Sequence, residues 1–191
     1  VRPPNANGDQ GPYGVKKIDM SKNGIYKLPE QIGSNDTLVT LNLSRNKITS
    51  VDQAIGMCTQ LTDLDLSFND IAVLPNTLGL CTGLTRVKIE NNAIGAFPDD
   101  FFQTCTKLVH LDAGHNKISV VPPEIRNLTD LVVLNICHNK ITLLPPEIGE
   151  LGNLEQFFSN HNEIQALPPS IGKLQRMNLI DLSENHLTTV P

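Results

Sequence analysis

The side chains in this sequence best suited to chemistry are histidines and cysteines, and they are evenly spaced. His115, His138 and His161 recur every 23 residues, and Cys58, Cys81 and Cys105 recur at 23 and 24. A fourth cysteine is Cys137. Imidazole and thiolate can ligate zinc, and adjacent imidazoles can make a pH-sensitive surface. The spacing supports neither strongly. C-x₂-C pairs are absent, so a zinc ribbon has no basis. Three imidazoles in line are a poor start for a tetrahedral site, so no metal is expected. Phosphate-binding G-x-x-x-x-G-K-[ST] loops, G-x-S-x-G elbows and H-x-x-E-H patterns are also missing. No catalytic residue and no cofactor are expected, and the chain is not read as an enzyme.

Even spacing of unrelated residue types points to a repeat. Asn23, Asn46, Asn69, Asn92, Asn116, Asn139, Asn162 and Asn185 give its register, with one step of 24 residues among steps of 23. Around each runs L-x-x-L-x-L-x-x-N-x-I-x-x-L-P, seen as Leu61, Leu64, Leu66, Asn69, Ile71, Leu74 and Pro75 in the third repeat. The extra residue falls between Ala96 and Lys107, where Asp99, Asp100 and Gln103 predict a surface connection.

Each position has a physical reason. Leu64-x-Leu66 has period two, which predicts a short strand with one buried side. The Asn follows where the chain turns inward, and its amide can satisfy main-chain groups of neighbouring turns. The next apolar residue, Ile25 in the first repeat and Leu187 in the last, fills the core. The return half reads L-P-P-E-I-G-x-L, as in Leu144 to Leu151. Pro ends the strand, Gly149 permits a tight bend, and the length suits turns or short 3₁₀ segments. Cys58, Cys81 and Cys105 precede the first Leu by three residues, where later repeats carry Leu128, Leu151 and Leu174. They are therefore expected to be small buried core residues. With few aromatics, 4 % of the chain, an aliphatic core is expected. Some repeats depart from the pattern. Ala113 and Ser159 stand where Leu is usual, Asp52 where Pro is usual and Arg126 where Gly is usual. Phe157 can fill the space that Ser159 leaves.

On these motifs the chain resembles leucine-rich-repeat proteins. More narrowly, it resembles the intracellular class with 23-residue L-P-x-x-I-G-x-L repeats, which includes Ras-binding scaffolds and the plant Ras-group proteins. The resemblance implies an α/β fold: a leucine-rich-repeat right-handed solenoid, with a parallel β-sheet on the concave face and turns on the convex one. The array occupies residues 15–191, about eight repeats with the last incomplete. Residues 1–14, rich in Pro, Gly and Asn, read as an N-terminal segment or linker without the features of a signal peptide. The resemblance also implies an intracellular signalling scaffold whose partner is a protein, a small GTPase or another signalling protein. The alternative is the targeting array of a larger kinase, phosphatase or cyclase; an extracellular recognition domain is a third reading. Cytoplasmic location, peripheral at a membrane through a partner, follows from the same class. Buried cysteines without terminal cysteine clusters agree with a reducing compartment.

Charge narrows the partners. Fifteen basic and twenty acidic residues give a net charge of −5, which disfavours nucleic acid and anionic lipid. No apolar run is long enough to span a bilayer. Eight stacked strands make a face about 34 Å long, with outward residues in columns. The candidate partner-binding residues on it are Arg86, Lys88, His110, Asp112, Val133, Asn135, Gln156, Phe158, Leu179 and Asp181. A secondary column, just before each Asn, contains Phe68, His115, His138 and His161. Val133, Phe158 and Leu179 put apolar side chains on three adjacent strands, with Phe158 as the expected hot spot.

Overall fold

The period-two Leu pairs form strands, and the strands form one sheet. The computed structural model describes residues 14–191. Strands β1 (Lys17–Asp19), β2 (Thr40–Asn42), β3 (Asp63–Asp65), β4 (Arg86–Lys88), β5 (His110–Asp112), β6 (Val133–Asn135), β7 (Gln156–Phe158) and β8 (Leu179–Asp181) follow in spatial order. Every neighbouring pair is parallel and in register, one repeat apart, from Lys17 opposite Thr40 to Gln156 opposite Leu179. The extra residue between Ala96 and Lys107 does not shift this register, because Arg86 still pairs with His110.

The six inner strands, β2 to β7, bury their middle residue and turn the outer two away from the core, whereas Ile18 in β1 is half-buried and Ile180 in β8 is exposed. Leu41, Leu64, Val87, Leu111, Leu134 and Phe157 are fully or almost fully buried. Burial of such side chains contributes about 1.5–3 kcal/mol each. The apolar residue after each Asn, Ile48 to Ile164, is also buried.

The return half closes in 3₁₀ turns at Glu30–Ser34, Gln53–Met57, Asn76–Leu80, Pro123–Asn127, Pro146–Glu150 and Pro169–Lys173. Pro29, Pro75, Pro122, Pro145 and Pro168 precede five of them with φ between −65° and −73°, the value their rings impose. Asp52 stands in place of Pro before the Gln53–Met57 turn, with φ −67°. Its side chain accepts from the Ala54 N–H at 2.9 Å and so caps the turn. Gly33 and Gly149 serve close packing and not a bend. A Cβ on Gly33 would lie 2.8 Å from the Ala54 carbonyl oxygen, and one on Gly149 would collide with the Ser170 carbonyl. Neither has a positive φ.

The core is not purely aliphatic. In the long fourth connection the 3₁₀ turn is replaced by one α-turn, α1 (Phe101–Thr104), and Asp99, Asp100 and Gln103 are exposed there as expected. Phe101 and Phe102 point inward against Phe97, with ring centroids of Phe97 and Phe102 4.7 Å apart. Three rings pack together at this longer connection, where the other repeats bury aliphatic side chains. Phe157 and Ser159 are both fully buried. The Pro/Gly-rich reading of the N-terminal segment concerns residues that, up to Tyr13, lie outside the described ones.

Candidate functional site

The concave face is built by the outer residues of eight three-residue strands. Lys17, Thr40, Asp63, Arg86, His110, Val133, Gln156 and Leu179 stand opposite one another, one per repeat. Asp19, Asn42, Asp65, Lys88, Asp112, Asn135, Phe158 and Asp181 form the second column in the same pairings. All ten predicted partner-binding residues therefore share one sheet face. Arg86 and Leu179 are exposed, and the other eight are half-buried.

Most of the second column has a structural duty that the sequence reading did not assign. The side chains of Asp19, Asn42, Asp65, Asp112, Asn135 and Asp181 each accept from the N–H two residues later, at 3.0–3.1 Å. Ser44, Ser67 and Ser183 add hydroxyl hydrogen bonds to the same oxygens. These are Asx turns that close each strand exit. Hydrogen bonds from Ser183 hold the Asp181 carboxyl below the usual carboxylate range. The D/N-x-S pattern was present in the sequence and is the signal for this role. Two repeats abandon it. Lys88 and Phe158 occupy the column without being able to accept such a bond.

The N-terminal half of the face is a shallow groove of mixed charge, with Lys17, Asp19, Asp63, Asp65, Arg86 and Lys88 along it. Its ion pair, Arg86 Nε to Asp63 Oδ1 at 3.9 Å, is long and solvated and adds little stability. Burial holds the His110 imidazole below its ordinary range, against the pull of Asp112. Glu90, beside them, is pushed up to about 7, chiefly by burial and then by its hydrogen bond to Asp112 and that group's charge.

The secondary column has an uncommon backbone. Lys22, Arg45, Phe68, Asn91, His115, His138, His161 and Glu184 all have φ between 50° and 57°. Side-chain-bearing residues rarely adopt this left-handed region. Cross-repeat hydrogen bonds hold them there, such as Phe68 N–H to Glu90 O and His138 N–H to Asn160 O, both at 2.9 Å. The shared conformation aims successive side chains alike, so they stack. Arg45 lies over the Phe68 ring at 4.1 Å. His115, His138 and His161 stack with centroids 4.0 Å apart at each step and planes within 18°. Burial, then repulsion from the two flanking histidines, lowers the affinity of His138 for a proton.

The cysteines divide as the sequence predicts. Cys58, Cys81 and Cys105 are fully buried, and the thiols of Cys58 and Cys81 each lie 3.3 Å from a carbonyl oxygen one repeat earlier. Cys137 is half-buried at the concave edge. One apolar line escaped the column analysis: Val73, Ala96, Val120, Leu143 and Ala166, all exposed, each just before the Leu-Pro or Phe-Pro position or its Val equivalent. Among the described residues no helix is long and apolar enough to cross a membrane.

Comparison with known proteins agrees with this geometry. The family model described as Leucine rich repeat matches residues 14–71 and 82–141. Among solved structures, a leucine-rich-repeat protein of Leptospira interrogans is 32 % identical with a TM-score of 0.88, over 92 % of this chain and 45 % of that one. The functional domain of InlJ from Listeria monocytogenes, which includes a cysteine ladder, is 25 % identical with a TM-score of 0.82, over 93 % of this chain and 36 % of that one. The plant peptide hormone receptor RGFR1, in complex with RGF2, is 30 % identical with a TM-score of 0.67, over 91 % of this chain and 33 % of that one. This chain thus spans less than half the length of each of these relatives. No curated protein matches it significantly. With eight in-register parallel strands, an Asn at every inward turn and a matching family model over most of its length, the chain belongs to the leucine-rich-repeat family.

Proposed function

We propose that this chain is a protein-binding module that holds its partner on the C-terminal half of the concave face, around Phe158. A leucine-rich-repeat array presents a long curved surface suited to protein recognition. One observation carries the reading. Phe158 replaces the Asp or Asn that closes the strand exit in six other repeats, so a stabilising turn gives way to an aromatic ring on the binding face. Val133 and Leu179 flank it on the neighbouring strands. An aromatic anchor among aliphatics is what a binding hot spot needs.

The partner class follows from the resemblance to intracellular scaffolds: a cytoplasmic signalling protein, small GTPases among them. Four free cysteines among the described residues support a reducing compartment. The targeting array of a larger signalling enzyme is the second reading, which rests on the same resemblance. Affinity capture with the wild-type chain and Phe158→Ala, followed by titration of the captured protein, tests the site. The variant is expected to keep its circular dichroism and to bind about 30-fold more weakly, the mark of a hot spot. Equal affinity of the two chains for the captured partner would remove the reading.

A further inference from the structure

His115 and His138 hold the same left-handed turn position in the fifth and sixth repeats, and Cys137 immediately precedes His138. One nitrogen of each imidazole and the Cys137 Sγ all lie within 4.8 Å of one another. The sequence pointed to three histidines in line. The structure exchanges the third, His161, for a thiol that comes from a different column.

The exchange depends on one residue. In the column that holds Cys137, the other repeats carry Ser21, Ser44, Ser67, Glu90, Asn160 and Ser183, and the fifth carries Gly114. A Cβ on Gly114 would stand 3.0 Å from the Cys137 Sγ. The missing side chain is therefore the space into which the thiol leans, toward the repeat of His115. Cys137 is fixed from behind: its N–H donates to Asn135 Oδ1 at 3.1 Å, and Asn135 Nδ2 donates to Asp112 Oδ1 at 3.0 Å. His161 is differently engaged, because its Nδ1 lies 3.1 Å from the Asn160 amide nitrogen.

We propose that His115, Cys137 and His138 form a binding site for a single zinc-class divalent ion, with a fourth position open to water or to a ligand. Two imidazoles and a thiolate are a donor set that zinc favours. Zinc–nitrogen bonds of 2.0–2.1 Å and a zinc–sulfur bond of 2.3 Å place tetrahedral donors roughly 3.3–3.6 Å apart. The side chains must close by about 1 Å from their present spread, within reach of small χ rotations. One rearrangement is obligatory. A metal lies in the plane of each imidazole that holds it, and the His115 and His138 rings are stacked 4.0 Å apart and 13° from parallel. Loading therefore turns at least one ring out of the stack. The thiol proton leaves to solvent as the Cys137 sulfur takes the ion. The carboxylates of Asp112, Glu90 and Asp181 are near enough to act on that sulfur, and their charge favours a cation over a bare thiolate. The site does not depend on the partner-binding reading of Phe158.

The test is titration of the whole chain, stripped of metal and kept reduced, with Co²⁺ alone and then with Zn²⁺. A single cobalt per chain is expected, with the near-ultraviolet sulfur-to-cobalt charge-transfer absorption of a thiolate ligand, and zinc is expected to displace it. Cys137→Ser is expected to abolish that absorption and to weaken zinc at least ~100-fold, more than loss of a supporting residue does. His115→Ala and His138→Ala are expected to weaken both metals, whereas His161→Ala and the buried-thiol control Cys81→Ser keep the absorption. Circular dichroism of each variant separates lost ligation from lost fold. Absence of the absorption in wild type, its survival in Cys137→Ser, or its loss in a folded His161→Ala would each overturn the assignment.

Discussion

The side-chain amide of Asn69 donates to the main-chain carbonyl of Leu43, one repeat earlier, over 3.0 Å. It also donates to Leu66 O at 2.9 Å, while its Oδ1 accepts from the Ile48 N–H at 3.0 Å. Asn46, Asn92, Asn116, Asn139, Asn162 and Asn185 make the same cross-repeat donation. These amides satisfy buried groups that water does not reach, and losing one strands several partners at once. Asn69→Ala is expected to cost about 2–4 kcal/mol in urea unfolding. Asn23→Ala is the comparison. The Asn23 amide donates only within its own repeat, in an exposed setting, so its loss is expected to cost under about 1 kcal/mol. Equal losses at the two positions would show that the ladder is not what stabilises the stack.

Ser159 gives the opposite sign. Among the described residues its Oγ is buried without a hydrogen-bond partner. An unpaired buried hydroxyl costs about 1–3 kcal/mol of desolvation. Ser159→Ala removes that cost and leaves the main-chain carbonyl that accepts from Asn185. The variant is expected to unfold at higher denaturant, by about 1 kcal/mol. A destabilised variant would show that the hydroxyl has a partner.

The fold was legible in the sequence because one physical unit is written eight times. Asn spacing alone fixes the strand register, down to Arg86 opposite His110 across the irregular step. The columns of the concave face follow from that register. What escaped the sequence depended on atoms brought together across repeats. The role of Gly114 is invisible until Cys137 lies over it. The inward turn of Phe101 and Phe102 shows only once their rings meet Phe97. The Asx turns were readable in principle, but a repeated Asp on an exposed strand looks the same whether it binds a partner or its own backbone.

Phe102 tests the aromatic patch. It is 2 % exposed, and its ring centroid lies 5.6 Å from that of Phe101. The connection around it is longer than in other repeats, so its neighbours have no regular repeat to collapse onto. Phe102→Ala is expected to cost about 3–5 kcal/mol. Phe102→Leu, which restores the usual core residue but not the volume, is expected to fall between that variant and wild type. Thermal unfolding that ranks Leu at or above wild type would show that the ring packing adds no stability over an aliphatic side chain.

The thiols should react in two classes. Burial pushes Cys81 up to about 12 and Cys105 up to about 11, and Cys58 is raised by the same cause. The thiolate is the nucleophile, so these three are inert while the chain is folded. Cys137 is also raised by burial but remains half-exposed at the face edge. Alkylation of the folded, metal-free chain is expected to give one adduct, at Cys137, and alkylation in denaturant four. Early modification of Cys81 would contradict the packing of the cysteine column.

Glu90 makes stability depend on pH, and the sign can be worked out. Its ordinary value is 4.5, and in the fold burial and the hydrogen bond with Asp112 raise it to about 7. Between these values the unfolded chain has released the proton and the folded chain still holds it. The folded state then binds more protons, so stability falls as pH rises. The contribution is intact below about 4.5 and is lost as pH rises through about 7. Glu90→Gln keeps the shape and carries no titrating proton. Urea unfolding of the metal-free chain is expected to show wild-type stability declining across this window and a flatter profile for the variant. Asp112→Asn removes the partner charge but leaves the burial of Glu90, so it should shrink the slope without abolishing it. Parallel profiles for wild type and Glu90→Gln would mean that folding does not raise the proton affinity of Glu90.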